Sequence, residues 1–149
     1  MTRILVALDD TDASRRAADF VHRLFGEGTT ELLAISVARV PAPWIPVGIE
    51  YGAVYPWPMV GAEPDEVEEA VKATTEEAEH TIHDSGLDEA EAFVSIGDPV
   101  EEITRAARDH GADLIVVGSH HKNLLERFFQ GSVSEKLIRD ATIPVLVVP

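Results

Sequence analysis

Ile4-Leu5-Val6-Ala7-Leu8-Asp9-Asp10-Thr11-Asp12-Ala13-Ser14 is the stretch on which the fold turns. Successive side chains of a strand point to opposite faces. Five apolar residues in a row, stopped by two carboxylates, therefore suit a strand covered on both sides. The period then changes. Ala13, Ala17, Phe20, Val21 and Leu24 recur at helical spacing, with Thr11 or Asp12 as N-cap candidates and Gly26 or Gly28 near the end. A fully apolar strand followed at once by an amphipathic helix is the opening of a βαβ unit.

The alternation continues along the chain. Leu32 to Val37 reads as a second strand. Glu66 to Asp84 reads as a second helix, striped by Val67, Val71, Thr74, Ala78 and Ile82 and closed by Gly86. Ala92 to Ile96 is a third strand. Asp98 caps a third helix with Pro99 at its first position; Val100, Ile103 and Ala107 face inward and Gly111 ends it. Leu114 to Val117 is a fourth strand. Ser132 to Arg139 is a fourth helix with Val133, Leu137 and Ile138 inside, and Val145 to Val148 is a fifth strand after Pro144. Five apolar strands alternating with four helices predict a parallel sheet with helices on both faces.

The chain has 149 residues, suited to one domain with one core. Twelve basic residues oppose 27 acidic ones, a net charge of −15. Phosphate backbones and anionic membranes repel such a surface, so neither nucleic acid nor membrane is an expected partner. Cysteine is absent, which excludes disulfides, thiolate catalysis and thiolate metal sites. The apolar run at the N-terminus is too short for a signal peptide, and no run reaches the roughly 18 residues of a membrane span. A soluble, cytoplasmic protein is expected.

In open parallel sheets ligands bind beyond the carboxyl ends of the strands, where the strand order reverses. Asp9 to Asp12, Val37 and the segment from Gly118 onward should meet there. That last segment, Gly118-Ser119-His120-His121-Lys122 through Gly131-Ser132-Val133-Ser134, opens the fourth helix. Free N–H groups at a helix start attract anions, and Gly131 lets a phosphate approach the backbone. Ser132-x-x-Glu135 is equally a capping box, which needs no ligand. It is not a Walker A loop. Gly26-Glu27-Gly28 follows a helix and is no dinucleotide fingerprint.

From Thr2 to Val148 the chain resembles a universal stress protein domain. The resemblance rests on Ile4 to Asp9 followed by Ala13-Ser14, on Gly97-Asp98-Pro99, on Ala112 to Ser119, on Gly131 to Ser134, and on Ile143 to Val148. It implies a single α/β domain over residues 1–149, an open parallel five-stranded sheet in the order 3-2-1-4-5. That is a Rossmann-like arrangement of the adenine nucleotide alpha hydrolase type. It also implies a regulatory site for ATP or another adenine nucleotide, with or without Mg, and at most slow ATP hydrolysis. The family's contacts match Asp9 at the end of strand one and Val37 at the end of strand two. They match Val117 and Gly118 after strand four, and Gly131, Ser132, Val133 and Ser134 around the phosphates. The family's glycine spacing is kept at Gly118 and Gly131-Ser132, but its middle glycine is replaced by His121. There a Cβ and an imidazole meet a loop that approaches phosphate or ribose, and a positive φ would be strained. His121 thus separates a nucleotide binder from the rival reading, an interaction protein that acts by dimerisation or partner docking without nucleotide.

Other constellations weigh less. Asp10-x-Asp12-x-Ser14 resembles the nucleophile motif of haloacid-dehalogenase-like phosphatases, but the chain is short and offers no convincing distal Lys and acidic pair. Asp9-Asp10 resembles a phospho-receiver, which needs a Lys after its last strand. His80 and His83 with Glu76 and Glu79 have metal-capable spacing on one helix, yet a solvated face explains them. Residues 63–91 hold twelve acidic residues and one basic, Lys72; they form a solvated face or a docking surface for a basic protein partner. The 38–63 stretch, rich in proline and holding Trp44, Trp57, Tyr51 and Tyr55, is an insertion that covers the site, an interface or the domain's own helices. The apolar last strand, Val145 to Val148, should be a sheet edge paired antiparallel with a second copy, and the resemblance also implies a homodimer.

Overall fold

The computed structural model describes residues 1–26, 28–38, 64–119 and 133–149. Within them the chain runs β1 (Thr2–Leu8), α1 (Asp12–Phe25), β2 (Thr30–Ala38), α2 (Pro64–His83), β3 (Glu91–Ile96), α3 (Pro99–Asp109), β4 (Leu114–Gly118), α4 (Val133–Asp140) and β5 (Val145–Val148). The strands form one sheet in the order β3-β2-β1-β4-β5, all pairs parallel, as expected. The central strand β1 pairs Ile4 with Leu32 on one side and with Leu114 on the other.

The uninterrupted apolar run of β1 is explained by the two cores it serves. Ile4, Val6 and Leu8 point to one face, where they pack with Ala17, Ala18 and Val21 of α1 and Ile82 of α2. Leu5 and Ala7 point to the other, against Ile103 and Ala107 of α3 and Leu137 of α4. The small residues on the inner side of α1 let that helix lie close to the sheet. Each fully buried Ile, Leu or Val of these two cores contributes about 1.5–3 kcal/mol.

The caps follow the residue chemistry. Thr11, not Asp12, is the N-cap of α1, with extended backbone and its side chain accepting from the Ser14 amide. Asp98 caps α3, accepting from the amides of Val100 at 2.9 Å and Glu101 at 3.2 Å, with Pro99 at the first helical position. Gly111, just past α3, has φ +63, a left-handed conformation that glycine adopts without strain.

Two expected inward residues are not inward. Leu24 is 59% exposed and Ile138 is 53% exposed. In α1 the place one turn beyond Val21 goes to Phe25, which packs on the core, so Leu24 turns away. In α4 the fully buried Leu137 takes the inner position, and the next residue is rotated by about 100° around the helix. Among the described residues no helix is long and apolar enough to cross a membrane.

Candidate functional site

The strand order reverses between β1 and β4, and their connections leave in opposite directions. Beyond the carboxyl ends of β1, β2 and β4 lies a cleft of about 600 Å³. That volume falls within the roughly 300–1,000 Å³ of small-molecule sites. Its floor is apolar, built from Ala7, Ile35, Val37 and Val117 of the strands and Ile103 of α3. Its rim is polar. Asp9, Asp10 and Thr11 come from the turn after β1, Ser119 follows β4, and Val133 and Ser134 open α4.

The turn after β1 is held by a closed set of hydrogen bonds. The Asp9 amide donates to Ser14 Oγ at 2.9 Å. Asp9 Oδ1 accepts from the Thr11 amide at 3.1 Å and from the Thr11 hydroxyl. Thr11 Oγ1 in turn accepts from the Ser14 amide at 3.2 Å. Ser14 is buried, which places its hydroxyl beneath the turn rather than in solvent. One carboxylate oxygen of Asp9 is thus committed to the turn, and the geometry of the side chain is set before any ligand arrives.

The end of β4 is fixed just as firmly. Gly118 lies against the first turn of α1, with no room for a side chain between them. The Ser119 amide donates to the Val148 carbonyl at 2.8 Å. Arg16 of α1 donates through Nε to the Pro149 carbonyl at 2.9 Å and through Nη2 to the Ser119 carbonyl at 3.3 Å. One guanidinium therefore ties α1 to the ends of both β4 and β5.

A wall of the cleft comes from α2: Thr74, Glu77, Ala78 and Thr81. Thr74 and Thr81 donate their hydroxyl hydrogens one turn back, to the carbonyls of Ala70 at 2.7 Å and Glu77 at 2.9 Å. Their oxygens keep acceptor capacity for a ligand's hydroxyl or amino group. Among the described lining residues Asp9, Asp10 and Glu77 carry charge and none is Lys or Arg. The described charges of the rim are thus all negative, and the positive end of a helix dipole on this rim is the opening of α4.

Six of the nine residues expected at the site line this one cleft: Asp9, Val37, Val117, Gly118, Val133 and Ser134. His121, Gly131 and Ser132 lie outside the described residues, as do His120 and the expected insertion from residue 39 to 63. Sequence reasoning missed the α2 wall. Thr74 stands on the same stripe as the buried Ala78 and Ile82, so its position in the sequence does not mark it as lining. The metal-capable spacing on α2 gathers no ligand set. His80 Nδ1 lies 3.0 Å and His83 Nδ1 3.6 Å from Asp84, all three exposed, and no metal-holding group of three occurs among the described residues. Asp12 is spent in a surface pair with Arg15 at 2.9 Å.

The fold is that of one protein class. The model of the Universal stress protein family matches residues 1–149, and the chain belongs to that family. Universal stress protein YxiE of Bacillus subtilis is 33% identical over 147 residues, 98% of this chain and 97% of that one. Among solved structures, hypothetical protein MJ0577 of Methanocaldococcus jannaschii superposes with a TM-score of 0.62 at 27% identity, covering 99% of this chain and 94% of the other. A universal stress protein in complex with cAMP shares the fold at 22% identity and a TM-score of 0.61, over 99% of this chain and 95% of its own.

Proposed function

We propose that this protein binds an adenine nucleotide in the cleft at the carboxyl ends of β1, β2 and β4 and acts as a regulator, any ATP hydrolysis being slow. The observation that carries this reading is that six of the residues matching the family's nucleotide contacts line one apolar-floored, polar-rimmed cleft. The base would lie on Val37, Ile103 and Val117. The ribose would meet Asp9 and the α2 threonines, and the phosphates the opening of α4 around Ser134. The bound cAMP of the 22% identical relative is a property of that protein; it makes the class of ligand reasonable for this cleft. Mg would accompany a polyphosphate, because Asp9, Asp10 and Glu77 line the same cleft.

Isothermal titration with AMP, cAMP, ADP and ATP, with and without Mg, tests this. Binding of at least one is expected. On the sequence spacing, Gly131→Trp should abolish it by blocking backbone approach, and His121→Gly should leave affinity equal or higher. No heat with any of the four, and no shift in melting temperature, would overturn the reading. One observation favours a second reading, interaction without nucleotide. The edge strand β5 is apolar and only partly covered, so pairing with a second copy would bury it.

A further inference from the structure

We propose that Ser36, with Thr74 and Thr81, recognises the ribose hydroxyls of the ligand, so that the cleft selects nucleotides with a free 2′,3′-diol; this rests on the nucleotide reading above. Side chains alternate along a strand. In β2, Leu32 and Ala34 pack with Ile82 of α2 on one layer, while Leu33, Ile35 and Val37 belong to the other. Ser36 continues the first series, and its register partner Leu8 lies on the same layer. It therefore enters the cleft on the side walled by Thr74, Ala78 and Thr81 of α2. Ser36 is 4% exposed, and its hydroxyl has no hydrogen-bond partner among the described residues. A buried hydroxyl left without a partner is costly. Among the described residues no side-chain polar atom that is sealed from solvent lacks a partner, so the Ser36 hydroxyl opens on the cleft it lines. It is placed to meet a polar group of a ligand.

Hydrogen-bond polarity selects that group. The hydroxyl hydrogens of Thr74 and Thr81 are spent on the carbonyls of Ala70 and Glu77, so toward the cleft both oxygens only accept. The carboxylates of Asp9 and Glu77, on the same lining, only accept as well. Of these groups Ser36 alone can also donate. The ligand must therefore bring donors. Phosphate brings acceptor oxygens and negative charge, and this side refuses it on both counts. A ribose diol brings two O–H donors on adjacent carbons, with oxygens that accept from Ser36 in return. The base brings an amino group, but the apolar floor of Val37, Ile103 and Val117 that suits a flat ring belongs to the opposite layer. A nucleotide lying across the ends of the strands thus turns its base to the α3 layer and its diol to the α2 layer.

Isothermal titration of the protein with AMP and with 2′,3′-dideoxy-AMP tests the proposal. AMP should bind about tenfold or more tightly, since the dideoxy analogue forfeits at least two hydrogen bonds. Ser36→Ala and the double variant Thr74→Val/Thr81→Val, each with a cooperative melt, should cut that preference by about threefold or more, and should do so by weakening AMP. Equal binding of the two nucleotides by the wild type would overturn the proposal and leave the nucleotide reading standing. Binding of neither would overturn both. Variants that weaken AMP and its dideoxy analogue by the same factor would overturn it too, because the three side chains would then act on the fold and not on the diol. So would a preference for AMP over inosine monophosphate that Ser36→Ala abolishes, since this side would then hold the amino group of the base.

Discussion

A Cβ on Gly118 would lie 2.2 Å from the carbonyl oxygen of Ala13, closer than any real non-bonded contact. The obstacle is backbone, including the Ser14 amide at 2.8 Å, and cannot swing aside as a side chain would. The glycine that the sequence offers as a ligand contact is thus first a packing requirement: it lets β4 end flush against α1. Gly118→Ala should destabilise the ligand-free protein by about 1–3 kcal/mol, the usual cost of overpacking. Urea unfolding should show a lower midpoint with unchanged slope. A midpoint equal to wild type would refute the close approach.

Ser14 makes a second, independent prediction. Its buried hydroxyl accepts from the Asp9 amide at 2.9 Å. In Ser14→Ala that amide loses its partner beneath the turn. Leaving such a group unsatisfied costs about 1–3 kcal/mol. The thermal midpoint should fall, and nucleotide affinity should fall with it, because the Asp9 carboxylate is oriented by the same turn. If the melting temperature drops while affinity is untouched, Asp9 is not part of the binding site.

The architecture was legible because both faces of the sheet are covered. The run Ile4 to Leu8 can be apolar throughout only if Ile4, Val6 and Leu8 have one helical layer to pack on and Leu5 and Ala7 another. Glycine and proline then mark where elements stop. The site was legible at the strand ends, where topology sends Asp9, Val37 and Gly118 to one place, and at the opening of α4, where Val133 and Ser134 line the same cleft. The threonines of α2 were not legible as lining, because Thr74 lies on the same stripe as the buried Ala78 and Ile82. Periodicity alone does not say where along its length a helix leaves the sheet and begins to border a cleft. Leu24 and Ile138 failed for a related reason. An apolar residue near the inner stripe is exposed when a neighbour, Phe25 or Leu137, takes the inner position.

The pair formed by Glu89 and His22 gives a prediction in pH. His22 Nδ1 lies 3.1 Å from Glu89 Oε1, joining α1 to the loop before β3. The Glu89 carboxyl is held below its ordinary value, first by a hydrogen bond from its own backbone amide and then by His22. A carboxyl with a lowered folded pKa stabilises the fold fully above its unfolded value. That contribution is lost as pH falls through the folded value. Acidification below about pH 4.5 should therefore remove it. Glu89→Gln should lower the melting temperature slightly at pH 7 and flatten the acid limb of the stability profile. The effect is small, since the Glu89 side chain is 39% exposed and solvent screens the pair. A variant whose acid limb superposes on that of wild type would show that Glu89 is not held.

The last prediction concerns β5. It is the strand at the opposite edge from β3, four residues long, apolar throughout and paired only with β4 among the described residues. Val145, Leu146 and Val147 are each partly exposed, with Leu146 toward the α1 layer and Val145 and Val147 toward the α3 and α4 layer. Arg16 holds the following Pro149 carbonyl, which fixes the end of the strand, and among the described residues no strand pairs with its outer side. Antiparallel pairing with the same strand of a second copy gives a closed two-fold dimer, and it leaves both acidic β3 edges at the far ends, where they do not repel. Sedimentation equilibrium at micromolar concentration should give about twice the chain mass of 16.2 kDa. Leu146→Lys should shift it toward 16.2 kDa or precipitate the protein. Because Leu146 also touches the core, a cooperative melt must accompany the monomeric mass for the interface to be the cause. A wild-type mass near 16.2 kDa would end the dimer proposal and leave β5 an unpaired edge.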